Sequence, residues 1–279
     1  MIVTIIGLGL IGGSIAIDLK KSGFAEKIIG VDHSQINSEF AKQIGFVDEV
    51  KDLNEAIDES RLIILAIPAD GAVKVLPKIL NQIDEQVITD VCSTKVPLKT
   101  IIEKHPKREQ VVLAHPMAGT EFSGPWAAKQ GLFDGKACIL CDLEENNDRA
   151  KQTVIELFET LNMRLLKMGS EEHDMHAAYV SHISHISSFA LALTVLEKEK
   201  DENRIFDLAS GGFDSTVRLA KSNAEMWSPI FRQNKENILT VLDTYIDELR
   251  EFKQAIESDD SKRIHQKITE ANRIKKVLS

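Results

Sequence analysis

The start of the chain constrains its fold most strongly. A β-branched run, Ile2–Ile6, leads into a glycine-rich segment at residues 7–14 (GLGLIGGS) and then into an apolar periodic stretch at residues 15–19. This order predicts a strand, a tight turn and a helix. In such a unit the first glycine permits the turn, the second lets backbone approach a ligand, and the third lets the helix pack on the strand.

The same segment predicts a class of cofactor. The unpaired N–H groups and the positive dipole end of the helix suit the pyrophosphate of a dinucleotide. A second predicted strand ends in Asp32, where an acidic side chain accepts hydrogen bonds from ribose hydroxyls and repels a 2′-phosphate. We therefore expect NAD rather than NADP, with the alternative that Asp32 only caps the next helix. The predicted cofactor contacts in the turn are Gly7, Gly9, Leu10, Ile11 and Gly12.

Helical and strand patterns continue to alternate up to residue 168. Strands are predicted at residues 27–31, 62–67, 86–89, 110–114, 136–141 and 164–168, and helices at residues 34–44, 71–80, 95–104 and 148–161. Nearly continuous apolar strands are typical of a parallel sheet covered on both faces. After residue 169 the pattern is helical only, with stretches at residues 170–199, 224–256 and 259–277.

This change of pattern predicts two domains. We expect an α/β fold in which a Rossmann-type parallel-sheet domain, residues 1–169, is followed by an all-α domain, residues 170–279. The helices of the second domain carry apolar residues along one stripe. Such a stripe needs a partner to cover it, and self-association of two copies would supply one.

Composition excludes several classes of protein. With 43 acidic and 34 basic side chains in 279 residues the net charge is −9, which disfavours binding to nucleic acid or anionic membranes. Three cysteines make no disulfide framework, and Cys138 and Cys141 would lie on opposite faces of a strand, so we expect no metal site. Residues 1–17 lack a basic leader, and residues 179–196 contain two histidines and four serines. We expect an unprocessed cytoplasmic protein with no membrane span.

Polar residues follow two consecutive predicted strands. His115 comes directly after residues 110–114, and Thr120 and Glu121 lie in the same loop. Ligands bind beyond the carboxyl ends of strands in open α/β sheets, although a histidine beside a proline is often just a turn residue. Ser93 follows the preceding strand and can meet His115, because consecutive strands usually pair. Its hydroxyl would then fix the imidazole tautomer, unless Ser93 only caps the next helix.

The first long helix carries four histidines on different faces. His182 and His185 are three residues apart and share a face, whereas His173 and His176 are predicted to point elsewhere. A four-histidine metal site is therefore not expected. The pair on one face is either a set of satisfied core residues or part of a ligand site at the domain interface.

A glycine pair precedes a further helix and an arginine. Glycines such as Gly211 let backbone approach a ligand, and Arg218 about two turns later can form a bidentate pair with a carboxylate. The alternative is a surface arginine without a partner. Trp227 follows in the next predicted helix.

Taken together, these motifs resemble those of the prephenate dehydrogenase family over nearly the whole chain. The matching segments are GLGLIGGS at 7–14, DVCSTK at 90–95, HPMAGTE at 115–121, SHISH at 181–185, and GGF with TVR within 211–218. The resemblance implies a dinucleotide-binding domain, a helical dimerisation domain, and the oxidative decarboxylation of prephenate to 4-hydroxyphenylpyruvate with NAD, a step of tyrosine biosynthesis. We expect neither a chorismate mutase domain at the start of the chain nor a regulatory domain at its end.

The resemblance also implies roles for residues. His115 matches the histidine that takes the proton from the ring hydroxyl, and Arg218 matches the arginine that binds a substrate carboxylate. Ser93 matches the serine that orients this histidine and itself lies near the nicotinamide, so it is also a predicted cofactor contact. The other residues matched to the substrate site are Thr120, Glu121, His182, His185, Gly211 and Trp227.

The chain departs from the family pattern at one place. Asp214 and Ser215 stand where the family has an arginine and an aspartate. In the family these two positions are associated with contacts that hold the pyruvyl side of the substrate, so we expect those contacts to differ in this chain. Retention of His185 favours prephenate, with arogenate, the amino counterpart, as the alternative substrate. A third hypothesis is a non-catalytic dinucleotide sensor, which the intact Ser93, His115 and Arg218 argue against.

Overall fold

The computed structural model describes residues 1–202 and 204–277. It contains two compact units, Met1–Asn234 and Lys235–Ser279. The first unit includes the sheet and also the first helices that follow it. The predicted division of the chain at residue 169 therefore stays a prediction.

The described part of the first unit is built on an eight-stranded sheet with the order β3-β2-β1-β4-β5-β6-β7-β8. The strands are Ile2–Ile6 (β1), Lys27–Val31 (β2), Glu49–Val50 (β3), Leu62–Leu65 (β4), Val87–Asp90 (β5), Val111–Pro116 (β6), Ala137–Cys141 (β7) and Arg164–Met168 (β8). Strands β1 to β6 all run parallel to one another. The predicted α/β class with a Rossmann-type sheet is confirmed.

The sheet departs from a purely parallel arrangement at one strand. β7 is antiparallel to β6, and β8 is parallel to β7. Residues 117–136, which connect β6 to β7, contain only a short 3₁₀ turn, Pro125–Ala127, and no helix longer than that. A parallel neighbour needs a crossover, usually a helix, whereas an antiparallel one does not. The helix between β7 and β8 supplies such a crossover and keeps those two strands parallel.

Six helices cover the two faces of the sheet. They are Leu10–Ser22 (α1), Gln35–Ile44 (α2), Leu53–Glu59 (α3), Ala69–Gln82 (α4), Val96–Ile102 (α5) and Asp148–Thr160 (α6). Two buried apolar clusters result, one containing Cys138 and the other Cys141, so these cysteines lie on opposite faces of β7 as expected. The short β3 and α3 were not predicted, because two strand residues and two helical turns leave little periodicity.

The helices after the sheet follow the predicted pattern with two interruptions. The first long stretch consists of Ser170–Ala177 (α7), a π-helical turn at Ala178–His182, and Ile183–Glu202 (α8). After Gly211–Val217 (α9), the predicted helix at residues 224–256 is divided at Asn234 into Ala224–Gln233 (α10) and Lys235–Glu257 (α11). π-Turns of this kind often occur at functional sites.

The second unit contains α11 and Ser261–Ala271 (α12). Asp259 has a positive φ of 51° in the turn between them. Lys267 of α12 lies 2.7 Å from Glu248 and 2.5 Å from Glu251 of α11. These contacts between side chains join the two helices as an antiparallel pair.

One helical stretch is long and apolar enough to cross a membrane by length and composition. It covers Ser170–Lys200, and only 11% of its most apolar window is buried. The beginning of the same stretch carries buried polar side chains, His173, Asp174 and His182. Hydrocarbon would penalise these polar groups.

Candidate active site

The predicted site residues gather at one edge of the sheet. Because β1, β2, β5 and β6 run parallel, their carboxyl ends lie at the same edge. The glycine turn follows β1, Asp32 follows β2, Ser93 follows β5, and His115 lies near the end of β6. Ligands of open α/β sheets bind at this edge.

The glycine turn has the geometry that a dinucleotide requires. Gly7 has a φ of +97°, and a Cβ on it would lie 2.3 Å from the carbonyl oxygen of Ala66. A Cβ on Gly12 would lie 1.9 Å from the carbonyl oxygen of Gly7, so glycine is needed at both positions. At Gly9 a Cβ would meet no atom of the described chain within 4 Å, so a ligand can approach the backbone. Helix α1 also begins without a side-chain cap or an acidic first turn, which suits a pyrophosphate.

Asp32 connects the glycine turn to the end of β2. Its Oδ2 accepts a 2.8 Å hydrogen bond from the backbone N–H of Leu8, and its Oδ1 accepts one of 2.8 Å from Ser34. The cap of α2 is Ser34, whose hydroxyl accepts from the N–H of Asn37, so Asp32 is not the capping residue. Nδ2 of Asn37 also lies 3.4 Å from Oδ1 and 3.5 Å from Oδ2, so ribose hydroxyls would take the place of these two long contacts.

His115 is buried at the end of β6 and contacts a second histidine. Its Nδ1 lies 2.8 Å from Nε2 of His173, and Nδ1 of His173 lies 2.7 Å from Oδ1 of Asp174. The two imidazoles and the carboxylate are 8%, 2% and 1% exposed, so this row is almost closed to water. The Nε2 atom of His115 has no hydrogen-bond partner among the described residues.

The electrostatics keep His115 neutral at pH 7. Burial lowers the pKa of His115 well below its usual range, and the charges of His173, Lys95 and His182 act in the same direction. A neutral imidazole with one unengaged nitrogen can accept a proton. His115 therefore has the state and the geometry of a general base.

A buried ion pair underlies the histidine. Lys95 is fully buried and forms a salt bridge with Asp90, and its Nζ donates a 2.5 Å hydrogen bond to the carbonyl oxygen of Ala114. Asp90 also accepts hydrogen bonds from the N–H groups of Cys92 and Ala114. Burial acts to lower the pKa of Lys95, but the Asp90 carboxylate together with Cys92 and Cys141 outweighs this effect, so the pKa is raised. Lys95 therefore stays charged, and its contacts join the ends of β5 and β6.

Ser93 takes neither of the roles considered for it. It is half-buried, and its hydroxyl forms no hydrogen bond with the described residues, including His115. Helix α5 begins after Lys95 without a side-chain cap. The hydroxyl remains available at the edge of the sheet, whereas the contact that orients His115 comes from His173.

His182 lies at the end of the π-helical turn and is 1% exposed. Its Nδ1 is 3.1 Å from the amide nitrogen of Asn234, which also donates a 2.6 Å hydrogen bond to the backbone oxygen of Asp174. Burial lowers the pKa of His182 to about 4, although the Asp174 carboxylate acts in the opposite direction. His182 is thus connected to the same buried row through Asn234.

His185 and Trp227 form a stacked pair. Their ring centroids are 3.5 Å apart with an interplanar angle of 28°, and His182 lies edge-on to the same indole at 5.9 Å. Trp227 is 6% exposed, and its Nε1 has no hydrogen-bond partner among the described residues. A buried donor without an acceptor is costly, so this N–H suits an acceptor group of a ligand.

Arg218 and Glu121, two predicted substrate contacts, form an ion pair. Nη1 of Arg218 lies 3.4 Å from Oε2 of Glu121, and their side chains are 49% and 21% exposed. Burial lowers the pKa of His185, and the charge of Arg218 adds to the effect, which connects the pair to the stacked rings. Thr120 accepts a hydrogen bond from the N–H of Phe122 in its own loop.

The remaining predicted residues lie around α9. Gly211 is exposed and begins this helix. Asp214, at the place where the chain departs from the family pattern, forms a 2.8 Å ion pair with Lys221 on the surface. Ser188 of α8 donates a hydrogen bond of 3.1 Å to the backbone oxygen of Thr216, which attaches α9 to the long helix.

Sequence reasoning missed four residues of this site: His173, Asp174, Lys95 and Asn234. The helical pattern places His173 on a different face from His182, so it does not mark His173 as a site residue. In the structure His173 contacts His115 instead. The adjacent histidine and aspartate, placed directly after the last strand, were the available signal. Asn234 could not be found from periodicity, because it interrupts a predicted helix.

The buried histidines predict a pH-dependent stability. Since the pKa values of His115 and His182 are lowered in the folded protein, the unfolded chain binds more protons below about pH 6.5. We expect the free energy of unfolding to fall as the pH drops from about 6.5 to about 4, by up to about 1.4 kcal/mol per pH unit for each group. Urea unfolding at several pH values measures this slope.

A matched pair of variants identifies the source of that slope. His182→Gln is expected to flatten it, whereas His176→Gln, at an exposed position, should leave it unchanged. If the His182 variant keeps the full slope of the wild type, the titration of that buried ring does not contribute.

The fold and the site together define a class of protein. A glycine turn and an aspartate suited to a dinucleotide share a sheet edge with a neutral, buried histidine that can accept a proton, an arrangement suited to a Rossmann-type dehydrogenase. Comparisons with known proteins agree. Residues 15–167 match the family described as prephenate dehydrogenase, nucleotide-binding domain, and residues 169–270 match prephenate dehydrogenase, dimerization domain.

Individual proteins give the same result. The chain is 32% identical over 262 residues to the prephenate dehydrogenase of Bacillus subtilis (strain 168), covering 92% of this chain and 71% of that protein. It is similar to the crystal structure of A. aeolicus prephenate dehydrogenase in complex with hydroxyphenyl propionate and NAD⁺, with a TM-score of 0.87, 27% identity, and coverage of 100% and 98%. Synechocystis arogenate dehydrogenase has a TM-score of 0.78 and 25% identity, with 100% of both chains covered. The chain belongs to the prephenate dehydrogenase family of oxidoreductases.

Proposed function

We propose that the chain is an NAD-dependent prephenate dehydrogenase of tyrosine biosynthesis, which converts prephenate to 4-hydroxyphenylpyruvate and carbon dioxide. One observation carries the proposal. His115 is neutral and buried, only its Nδ1 is engaged, and its Nε2 is left for a substrate hydroxyl at the sheet edge that also holds the glycine turn.

The nucleotide site fits NAD. NAD, when bound, supplies the acceptor for the hydride that leaves the substrate. The N–H groups at the start of α1, beside Gly9, would hold its pyrophosphate, and the Asp32 carboxylate would bind the adenosine ribose. These contacts involve residues on β1, β2 and the turn between β1 and α1.

His115 then performs the proton step. Its Nε2 takes the proton of the ring hydroxyl, and the electron pair of that O–H bond forms the carbonyl as hydride leaves the same carbon. The carbon–carbon bond to the ring carboxylate then breaks, and carbon dioxide departs. The electron pair of the broken bond stays with the ring and makes it aromatic. The ring carbonyl regains a proton as the phenol. General-base assistance of this kind is worth about 10²–10⁴-fold in rate.

The substrate carboxylate would bind near Arg218. This guanidinium is half-exposed, pairs with Glu121, and lies close enough to His185 to affect its pKa. The N–H of Trp227 offers a further donor. The likeness to Synechocystis arogenate dehydrogenase supports arogenate as the second candidate substrate.

Steady-state kinetics with NAD and each purified substrate test the proposal. We expect kcat/KM for prephenate to exceed that for arogenate by about 10-fold or more, which corresponds to about 1.4 kcal/mol of discrimination. The reverse order would establish the arogenate alternative. Absence of NADH with both substrates, from protein that binds NAD, would favour a dinucleotide sensor.

Arg218→Ala is expected to raise KM for prephenate by about 10- to 100-fold, because a charge-assisted hydrogen bond of about 1.5–3 kcal/mol is lost. Steady-state kinetics at saturating NAD measure it. Lys221→Ala is the matched control, since Lys221 is also exposed and, among the described residues, forms an ion pair only with Asp214. Equal KM values for the two variants would exclude Arg218 as the carboxylate partner.

Asp32 should set the cofactor preference. We expect the wild-type protein to use NADP about 10- to 100-fold less well than NAD, because the carboxylate repels a 2′-phosphate. Asp32→Asn keeps an acceptor for the N–H of Leu8 but loses the negative charge, so it should reduce the preference for NAD over NADP. The kcat/KM values for both cofactors measure it, and a wild-type protein that prefers NADP would show that the role of Asp32 is misassigned.

We further propose that the protein is a homodimer. The stretch Ser170–Lys200 is mostly exposed although it is apolar, and exposed apolar residues on it include Tyr179, Val180, Leu193 and Leu196. A second copy of the chain would cover such a face, in keeping with the dimerization domain that residues 169–270 match. The net charge of −9 supports a protein that binds neither nucleic acid nor anionic membranes. Its three cysteines, all free, support a reducing compartment such as the cytoplasm.

A further inference from the structure

We propose that His173 and Asp174 form a positioning pair that holds the proton of His115 on Nδ1, so that the Nε2 lone pair faces the substrate. This inference rests on the proposed role of His115 as the base. It assigns a function to two residues that do not themselves touch the substrate.

Asp174 is fixed in place from two directions. Its Oδ1 accepts a hydrogen bond of 2.8 Å from the N–H of Lys95, and its Oδ2 accepts one of 2.9 Å from Val96. Its backbone oxygen accepts a third from Asn234. The carboxylate therefore connects α7 to the start of α5, and its position relative to β5 and β6 is set by the backbone.

The carboxylate determines the tautomer of His173. An ionised carboxylate offers only acceptors, so the proton between Oδ1 of Asp174 and Nδ1 of His173 belongs to the imidazole. A neutral His173 then has its lone pair on Nε2. The ring cannot rotate freely, because it is 2% exposed and bonded at both nitrogens.

The tautomer of His173 determines that of His115. Since Nε2 of His173 is an acceptor, the 2.8 Å contact requires a proton on Nδ1 of His115. The lone pair of His115 is then on Nε2, the atom without a partner among the described residues. When this atom takes the substrate proton, the new imidazolium is stabilised by His173 and, behind it, by Asp174.

Asp174→Asn tests the order of these hydrogen bonds. When the NH₂ group of Asn faces His173 as a donor, the side-chain oxygen still accepts from the N–H of Val96, and the hydrogen bond from the N–H of Lys95 is lost. His173 would then carry its proton on Nε2, and His115 would carry its own on Nε2 as well. We expect kcat to fall by about 10²-fold or more, with KM and NAD affinity changed by less than about threefold.

Two variants of His173 keep the test informative if Asp174→Asn fails to fold. In His173→Gln the side-chain oxygen can accept from Nδ1 of His115, so we expect partial recovery of kcat. In His173→Leu no acceptor remains, and we expect kcat as low as that of Asp174→Asn. His176→Gln, one turn along the same helix at an exposed position, is the control and should behave as wild type.

Nitrogen NMR of the protein labelled with ¹⁵N-histidine reads the tautomer without any turnover. We expect the His115 resonance, assigned by its loss in His115→Asn, to show a protonated Nδ1 in the unliganded wild type. It should show a protonated Nε2 in Asp174→Asn. A wild-type His115 protonated on Nε2, or a wild-type kcat in both Asp174→Asn and His173→Leu, would overturn the inference. The expected tautomers in a protein that oxidises neither substrate would support the pair and reject the proposed function.

Discussion

His115→Asn is expected to lower kcat by about 10²–10⁴-fold, the range that a general base contributes. The asparagine amide can still donate to Nε2 of His173, so the buried row keeps a hydrogen bond and the fold should persist. It has no basic nitrogen, so the hydroxyl proton of the substrate loses its acceptor. Steady-state kinetics with prephenate and NAD measure the loss.

NAD affinity is the readout that separates catalysis from folding in this variant. The glycine turn follows β1 and Asp32 follows β2, and neither contacts His115, so the Kd of NAD should stay within about twofold of wild type. His265→Asn, an exposed histidine of α12, is the control and should retain full activity. A His115 variant that turns over at a near-normal rate would remove this residue from the mechanism.

Lys95→Met is expected to lower the free energy of unfolding by about 3–5 kcal/mol, because removing one partner of a buried ion pair leaves the other charge uncompensated. Lys95 is fully buried, and its ammonium serves both Asp90 and the carbonyl oxygen of Ala114. Methionine fills a similar volume but satisfies neither. Urea unfolding at pH 7 measures the change.

Two comparisons sharpen that measurement. Lys74→Met removes a pair with Asp70 in which the lysine side chain is 77% exposed, and it should cost less than about 1 kcal/mol. The double variant Asp90→Asn with Lys95→Met removes the uncompensated Asp90 charge, and the Asn oxygen can still accept a hydrogen bond from the N–H of Cys92. It should therefore regain part of the free energy of unfolding that Lys95→Met loses. If Lys95→Met is as stable as Lys74→Met, the pair does not hold the strand ends together.

The architecture of the sheet could be predicted because its signals are local. Strand β1, the glycine turn and α1 lie next to one another in the sequence, and each glycine has a distinct steric requirement that the structure confirms at Gly7 and Gly12. The direction of β7 could not be predicted. It depends on whether the connection from β6 crosses the sheet, and residues 117–136 carry no periodic pattern that would decide this.

The positions of site residues at strand ends could be predicted from the sequence. The positions of site residues on helices that pack against the sheet could not. His115 and Asp32 follow apolar strands, so their placement at one edge followed from parallel pairing. The contact between His115 and His173 joins residues 58 positions apart. It depends on how α7 docks on β6, and a helical pattern does not determine docking. For the same reason the sequence predicts Ser93, which follows the adjacent strand, as the residue that orients His115.

The π-helical turn shows a further limit of periodicity. The faces of the four histidines were assigned with about 100° per residue, and this spacing holds only in a regular α-helix. The turn at Ala178–His182 adds an extra residue to the winding between His173 and His182. His182 is the last residue of the turn and His185 follows it, so the turn does not change their relative position. The rings of both contact Trp227.

The stoichiometry of the reaction tests the proposed function most directly. Limiting prephenate is incubated with excess NAD and the purified protein, and NADH, carbon dioxide and 4-hydroxyphenylpyruvate are quantified. A neutral His115 that removes the hydroxyl proton as hydride leaves predicts equal amounts of all three. Formation of NADH without carbon dioxide, or no NADH from protein that binds NAD, would contradict it.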